Sequence, residues 1–79
     1  MGFRLLVTVP DRERSEFQAN NDPLPNREAA GMAALRVLSD AGVRFGIGGM
    51  QFGRSVRDAP LGAFVTHEES GYVFRTEEF

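Results

Sequence analysis

Large apolar residues occupy every second position near the start of the chain. One face of this pattern holds Phe3, Leu5, Val7 and Val9, with other residues between them. A period of two predicts a half-buried strand, because successive side chains of a strand point to opposite faces. The strand is predicted to end at Pro10, which cannot donate the next ladder hydrogen bond.

The stretch from Pro10 to Pro25 is strongly charged, contains three prolines, and has only Phe17 and Leu24 as large apolar residues. A plain loop of this length is unusual in a compact domain. Two interpretations remain open. Either residues 15–19 form the short second strand of a hairpin, or the segment is a mobile functional loop.

Apolar residues then return at helical spacing and predict one long helix over residues 27–41. Asn26 is the predicted N-cap, because its side-chain oxygen can accept a hydrogen bond from a free amide of the first turn. Glu28 suits the positive end of the helix dipole, and Gly42 is the residue expected just past the C-terminus. Small residues around Gly31 indicate that the first half of the helix packs closely on a sheet. A weak helix that tertiary context tolerates is the alternative.

A second alternation begins at Val43 and continues through Phe45 and Ile47. It predicts a kinked or paired β segment over residues 43–56. Within that segment, Gly48-Gly49 forms either a hairpin turn or a bulge.

Two further β-rich stretches cover residues 62–67 and 72–76, and the loop between them ends in Gly71, which indicates a hairpin. The predicted order is β-α-β-β-β within a single domain over residues 1–79. The expected fold class is α+β, with a single helix packed on a small, mostly antiparallel sheet.

The composition narrows the possible chemistry. The chain has 79 residues, a net charge of −2, nine arginines, no lysine, no cysteine and one histidine. Without cysteine there is no disulfide or thiolate metal site, and a single histidine forms no imidazole cluster, so no metal or other cofactor is predicted. No apolar run reaches the roughly 20 residues that cross a bilayer, and the first ten residues lack the features of a signal peptide. We therefore expect a cytoplasmic protein.

Two motifs resemble catalytic or nucleotide-binding sites. Residues 48–55 have the spacing of a P-loop with Arg54 in place of lysine, but the residues that follow are too few and too interrupted for the helix a P-loop needs. His67 lies next to Glu68, yet adjacent residues of a strand point to opposite faces and do not form an acid–base pair. No serine lies in a nucleophile motif. The chain is predicted not to be an enzyme.

Charge is unevenly distributed along the chain. Residues 43–57 contain Arg44, Arg54 and Arg57 without an acid, whereas residues 58–79 contain five acids and one arginine. The basic stretch suits contacts with nucleic-acid phosphates, but a nucleic-acid-binding module this small is usually basic overall. Clustered carboxylates can instead occupy a basic groove built for nucleic acid. The acidic set is Asp58, Glu68, Glu69, Glu77 and Glu78.

Seven phenylalanines make up most of the aromatic content. Those in strand patterns are predicted to be core, namely Phe3, Phe45, Phe64 and Phe74. The others, Phe17, Phe52 and Phe79, either complete the core or anchor a partner, since aromatic residues are frequent energetic centres of interfaces.

In length, acidity and lysine-free composition, the whole chain resembles the small inhibitor proteins of phages and mobile elements. It is similar in particular to an anti-CRISPR protein that acts on a type I-C Cascade complex. The resemblance implies a protein that binds a Cascade subunit, Cas7 or Cas8, inside a bacterial host cell and blocks the binding or hybridisation of target DNA. It also implies a protein partner rather than direct contact with nucleic acid, and no membrane.

The competing interpretations are a small nucleic-acid-binding regulatory domain and a structural homodimer that pairs through a sheet edge. We expect a monomer or a weak homodimer. The predicted interface candidates are Asp58, Glu68, Glu69, Tyr72, Glu77, Glu78, Arg44, Phe52, Arg54 and Arg57.

Overall fold

The computed structural model describes residues 2–79, and in them it shows two helices and a four-stranded antiparallel sheet. The sheet has the strand order β2-β1-β4-β3, and both helices contact it. The predicted α+β class is confirmed, although a second helix joins the single helix that was expected. The elements are β1 (Phe3–Thr8), β2 (Glu16–Gln18), α1 (Arg27–Asp40), α2 (Ile47–Asp58), β3 (Val65–His67) and β4 (Tyr72–Glu78).

The hydrophobic core lies between the helices and one face of the sheet. Leu5 and Val7 of β1 are fully buried, and Val7 lies directly opposite Phe74 of β4. Full burial of such a side chain contributes about 1.5–3 kcal/mol relative to exposure. The predicted first strand is confirmed. The helices complete the core with Ala34, Leu38, Phe52 and Val56.

Helix α1 begins and ends close to its predicted limits. The side chain of Asn26 accepts a hydrogen bond from the Ala29 amide at 2.9 Å, which confirms the predicted N-cap. Past the C-terminus, Gly42 has a φ of 79°, a left-handed conformation that favours glycine.

Helix α2 occupies residues 47–58, so the prediction of a β segment over residues 43–56 is wrong. Gly48 and Gly49 lie in the first turn of this helix and form neither a turn nor a bulge. Its three glycines lower the intrinsic helix propensity, and burial against α1 and the sheet overrides that preference. The buried positions have helical spacing, namely Gly49, Phe52, Gly53 and Val56.

Close approach between α1 and α2 explains the small residues of α1. A Cβ atom added to Gly31 would lie 2.4 Å from the carbonyl oxygen of Gly53. The Gly31 side of α1 therefore packs against the second helix, while Ala34 of the same half lies in the core with Leu5 and Val7 of the sheet, as predicted. A Cβ atom at Gly49 would lie 1.8 Å from the ring of Phe45, so this glycine also serves a close contact.

Both strand hairpins form, and their loops touch. Strand β2 settles the two interpretations of residues 10–25 in favour of a short strand. The predicted hairpin between β3 and β4 is confirmed, with Gly71 at a φ of 82°. A Cβ atom on Gly71 would lie 3.0 Å from Pro10, which places the two hairpin loops side by side. One core assignment is wrong, because Phe64 precedes β3 and is 65% exposed.

Candidate functional site

The acidic residues predicted to form one surface lie at two opposite ends of the sheet. Glu68 and Glu69 occupy the loop at the start of β4, whereas Glu77 and Glu78 lie at its far end, a distance of about 20 Å along a strand of this length. Asp58 ends α2, close to Arg27 at the start of α1. The fold therefore divides the acidic set.

We call the first of these ends the hairpin end. It comprises the β1–β2 loop (residues 9–15), the β3–β4 loop (residues 68–71) and the connection from α1 to α2 (residues 40–46). Its charged residues are the carboxylates of Asp11, Glu13, Asp40, Glu68 and Glu69 and the arginines Arg12, Arg14 and Arg44. Carboxylates outnumber arginines there, so the hairpin end carries a negative charge.

A compact turn orders the β1–β2 loop within the hairpin end. The carboxylate of Asp11 accepts hydrogen bonds from the backbone amide and the hydroxyl of Ser15, both at 3.0 Å. The backbone bond to Ser15 is the main reason that the pKa of Asp11 lies below its ordinary value. Asp11 therefore has a structural role in this loop.

The basic stretch predicted from the sequence does not form one patch. Arg54 and Arg57 lie one turn apart on α2, but Arg44 precedes the helix at its opposite end, and 12 helical residues span about 18 Å. Arg57 also donates to Asp58 at 2.7 Å, a hydrogen bond that raises the pKa of Arg57 and lowers that of Asp58. The adjoining basic and acidic stretches therefore neutralise each other where they meet.

The sheet face away from the helices carries a second set of paired charges. Arg75 of β4 forms ion pairs with Glu77 on its own strand and with Glu16 of β2, the latter at 3.3 Å. These bonds, first that to Glu77 and then that to Glu16, raise the pKa of Arg75. Glu77 is thus engaged within the fold, and Glu78 remains exposed.

The two aromatic interface candidates have different surroundings. Phe52 is only 8% exposed, with its ring packed edge-on against Phe74 and His67 at centroid distances of 5.2 and 5.0 Å. It is a core residue and does not anchor a partner. Tyr72 is half-buried and stacks on Phe74 at a centroid distance of 6.4 Å.

Tyr72 also lines an open pocket at the hairpin end, which we call the aromatic pocket. Its volume is about 350 Å³. Phe17 of β2 and Tyr72 of β4 contribute rings, and the C-terminus of α1 contributes Asp40. The remaining lining residues are Ala19, Val37 and Ala41.

A smaller groove of about 150 Å³ lies between the two helices. Met32 of α1 and Met50 of α2 flank it and are 63% and 64% exposed. Exposed methionines are adaptable contact residues on binding surfaces. Arg54 and Arg57 line the same groove, together with Glu28, Gly31, Leu35 and Gly53.

The histidine motif has a local role. Nδ1 of His67 lies 2.8 Å from the hydroxyl oxygen of Ser70, and the ring packs on Phe52. Among residues 2–79, no group of three or more histidine, cysteine, aspartate and glutamate side chains is placed to hold a metal ion.

Comparison with protein-family models, curated proteins and solved structures found no match for this chain. None of the helices described in residues 2–79 is long and apolar enough to cross a membrane.

Sequence reasoning missed three surface residues that the fold makes prominent. Met32 and Met50 lie in segments assigned to a helix and to a strand, and their exposure depends on how the two helices cross. Asp40 could have been found from the sequence, because an acid in the last turn of a predicted helix lies unfavourably close to the negative end of the helix dipole.

Proposed function

We propose that this protein is a protein-binding inhibitor that covers a basic, nucleic-acid-binding surface of its partner. The specific form of the proposal is an anti-CRISPR protein that binds the Cas7 or Cas8 subunit of a type I-C Cascade inside a bacterial host cell. Bound there, it prevents target DNA from binding or hybridising.

The observation that carries this proposal is the composition of the hairpin end. Five carboxylates and three arginines from three separate segments give this end a net negative charge. One of these carboxylates, Asp40, lines a pocket with the rings of Phe17 and Tyr72. A negative surface steers a protein toward a positive groove, while aromatic residues supply the contact area that holds it. Both features are on the same end of the molecule, which supports a single binding surface.

Charge complementarity also explains how so small a domain competes with DNA. A groove that binds DNA is lined with cations whose potential attracts carboxylates as it attracts phosphates. A folded domain presents those carboxylates in fixed positions, so it loses little conformational freedom on binding. The opposite end contributes Glu78 to the overall negative charge, without belonging to the contact surface.

Capture by purified Cascade subunits tests the proposal. We expect the chain to bind type I-C Cas7 or Cas8 and to reduce target-DNA binding by the assembled complex. Replacing both Glu68 and Glu69 with glutamine is expected to weaken capture roughly tenfold, as each rim charge in an interface contributes modestly.

The matched control replaces Glu78 with glutamine, because this exposed carboxylate lies at the other end of β4. We expect this variant to bind like the unmodified chain. Failure to bind any Cascade subunit would overturn the anti-CRISPR proposal. Direct DNA or RNA binding with a steep salt dependence would instead favour the nucleic-acid-binding alternative.

A further inference from the structure

We infer that the aromatic pocket receives an arginine side chain of the partner protein. The inference rests on the proposed function and deepens it, because it assigns one contact within the hairpin end. Phe17, Tyr72 and Asp40 would hold the arginine, with the two rings beside the guanidinium and the carboxylate accepting its hydrogen bonds.

Asp40 supplies the charge that selects a cation. It is the last residue of α1, and the last turn of that helix contains no basic residue. In the part of the chain that the structure describes, its carboxylate takes part in no hydrogen bond or ion pair, not even with Arg36 one turn earlier. The negative end of the helix dipole reinforces the carboxylate at this position. Both features favour a positive group beside this exposed carboxylate.

The aromatic rings supply the second part of the recognition. Phe17 lies opposite Val7 in the sheet, so its side chain is on the helix face, and Tyr72 shares that face because it stands two residues from Phe74. The strands that carry the two rings lie on either side of β1, which separates their backbones by about 10 Å. Phe17 is 43% exposed although it is a large apolar residue. A planar guanidinium stacks on aromatic faces in a way that the compact lysine ammonium does not.

The pocket is large enough for this occupant. Its volume of about 350 Å³ is near the lower limit of pockets that hold small ligands. The aliphatic stem of an arginine would cover Ala19, Val37 and Ala41 while its head reaches Asp40. Basic grooves that bind nucleic acid are rich in arginine, so the proposed partner offers this side chain.

The test uses the isolated protein and a defined probe. Isotope-labelled protein is titrated with N-acetyl-arginine amide, and backbone amide shifts are followed by NMR. We expect saturable shifts confined to the pocket, at Phe17, Asp40, Ala41 and Tyr72. The neutral analogue N-acetyl-citrulline amide, which has the same shape, should bind at least about fivefold more weakly, and the lysine analogue should fall between them.

Two variants test separately how the carboxylate and the aromatic rings contribute to binding of the probe. Asp40→Asn and Phe17→Leu should each weaken binding of the arginine probe by roughly threefold to fivefold. The matched control is Asp22→Asn, an exposed aspartate of the β2–α1 connection, which should bind the probe normally. The NMR spectrum of each variant shows directly that the fold is intact.

Several outcomes would overturn the inference. These are equal binding of arginine and citrulline, an Asp40→Asn variant that binds the probe normally, and shifts located outside the pocket. The outcome of the Cascade capture experiment does not depend on the outcome of the arginine titration. A chain that captures a Cascade subunit equally well with and without Asp40→Asn would contradict the pocket assignment alone, whereas arginine binding without capture would contradict the proposed function alone.

Discussion

The two ends of helix α1 use their residues in different ways. At the N-terminal end, Asn26 caps its own helix, Arg27 binds the last carbonyls of α2, and Gly31 brings the two backbones into contact. At the C-terminal end, Asp40 has an unfavourable position relative to the helix dipole and lines an open pocket. The first end is organised for stability, and the second keeps a charge and two aromatic rings available. The proposed binding role of Asp40 would account for this difference, whereas Asp11 in the neighbouring β1–β2 loop has a structural role.

The largest effect is expected where the helices cross. Gly31→Ala would place a methyl group 2.4 Å from the Gly53 carbonyl oxygen, a backbone atom that cannot move by itself. A contact this short with a backbone atom belongs at the upper end of the about 1–3 kcal/mol that overpacking costs, so a net loss of about 2 kcal/mol should remain after the roughly 1 kcal/mol that alanine gains in a helix interior. Urea unfolding followed by circular dichroism measures the net loss.

Gly48→Ala is the matched control for this substitution. Gly48 is also helical, but its added Cβ atom would meet nothing within 4 Å. It should therefore stabilise the protein by about 0.5–1 kcal/mol. If both Gly31→Ala and Gly48→Ala stabilised the protein, the two helices would not be in close contact at Gly31.

A smaller loss is expected from Arg27→Ala. The Arg27 guanidinium group donates to the carbonyl oxygens of Arg57 and Ala59 and lies 5.6 Å from the centre of the Phe3 ring. Loss of these partly buried contacts should cost about 1 kcal/mol of unfolding free energy. Arg36→Ala on the exposed face of α1 is the control and should change stability by less than about 0.5 kcal/mol.

A gain in stability, rather than a loss, is expected from a substitution at the C-terminal end of α1. Asp40→Asn removes a negative charge from the negative end of the helix dipole and should raise stability toward the low end of about 0.3–1 kcal/mol at low salt. Raising the salt concentration should reduce the gain. A destabilised Asp40→Asn variant would mean that this carboxylate supports the fold, which contradicts the contrast between the two ends.

The smallest effect concerns acid stability. Because the folded pKa of Asp11 lies below its ordinary value of 3.8, the ionised carboxylate contributes stability above that value. This contribution is lost as the pH falls from there through the folded pKa. In the Asp11→Asn variant the melting temperature should therefore depend less on pH below about pH 4. Its pH dependence above that value should be unchanged. An identical acid profile in both proteins would contradict the role of Asp11 in the β1–β2 turn.

Much of the sheet and all of α1 were predictable from local patterns. The alternation around Leu5 and Val7, the cap at Asn26 and the hairpin before Tyr72 each depend on a few neighbouring residues. Helix α2 was not predictable in this way. Glycines within it suppress local helix preference, and only contact with Gly31 and the core makes the helix favourable.

The candidate site was predictable in its residue types but not in its arrangement. Glu68, Glu69 and Tyr72 were identified as candidates, and the fold places all three at the hairpin end. Asp40 and Phe17 join them only because β2 and the end of α1 meet there, which is a property of the tertiary structure. Phe52 shows the reverse case, in which an apparent anchor is buried.

The pairing of β1 with β4 has a consequence for how the protein is made. These strands align over six residue pairs, from Phe3 opposite Glu78 to Thr8 opposite Val73, with every other element between them in the sequence. Contacts between residues so distant in sequence slow folding, because a long loop must close before they form. During synthesis β1 leaves the ribosome with only the short β2 available as a partner. The full sheet can therefore assemble only after β4 has been synthesised, and until then one edge of β1 lacks its partner strand.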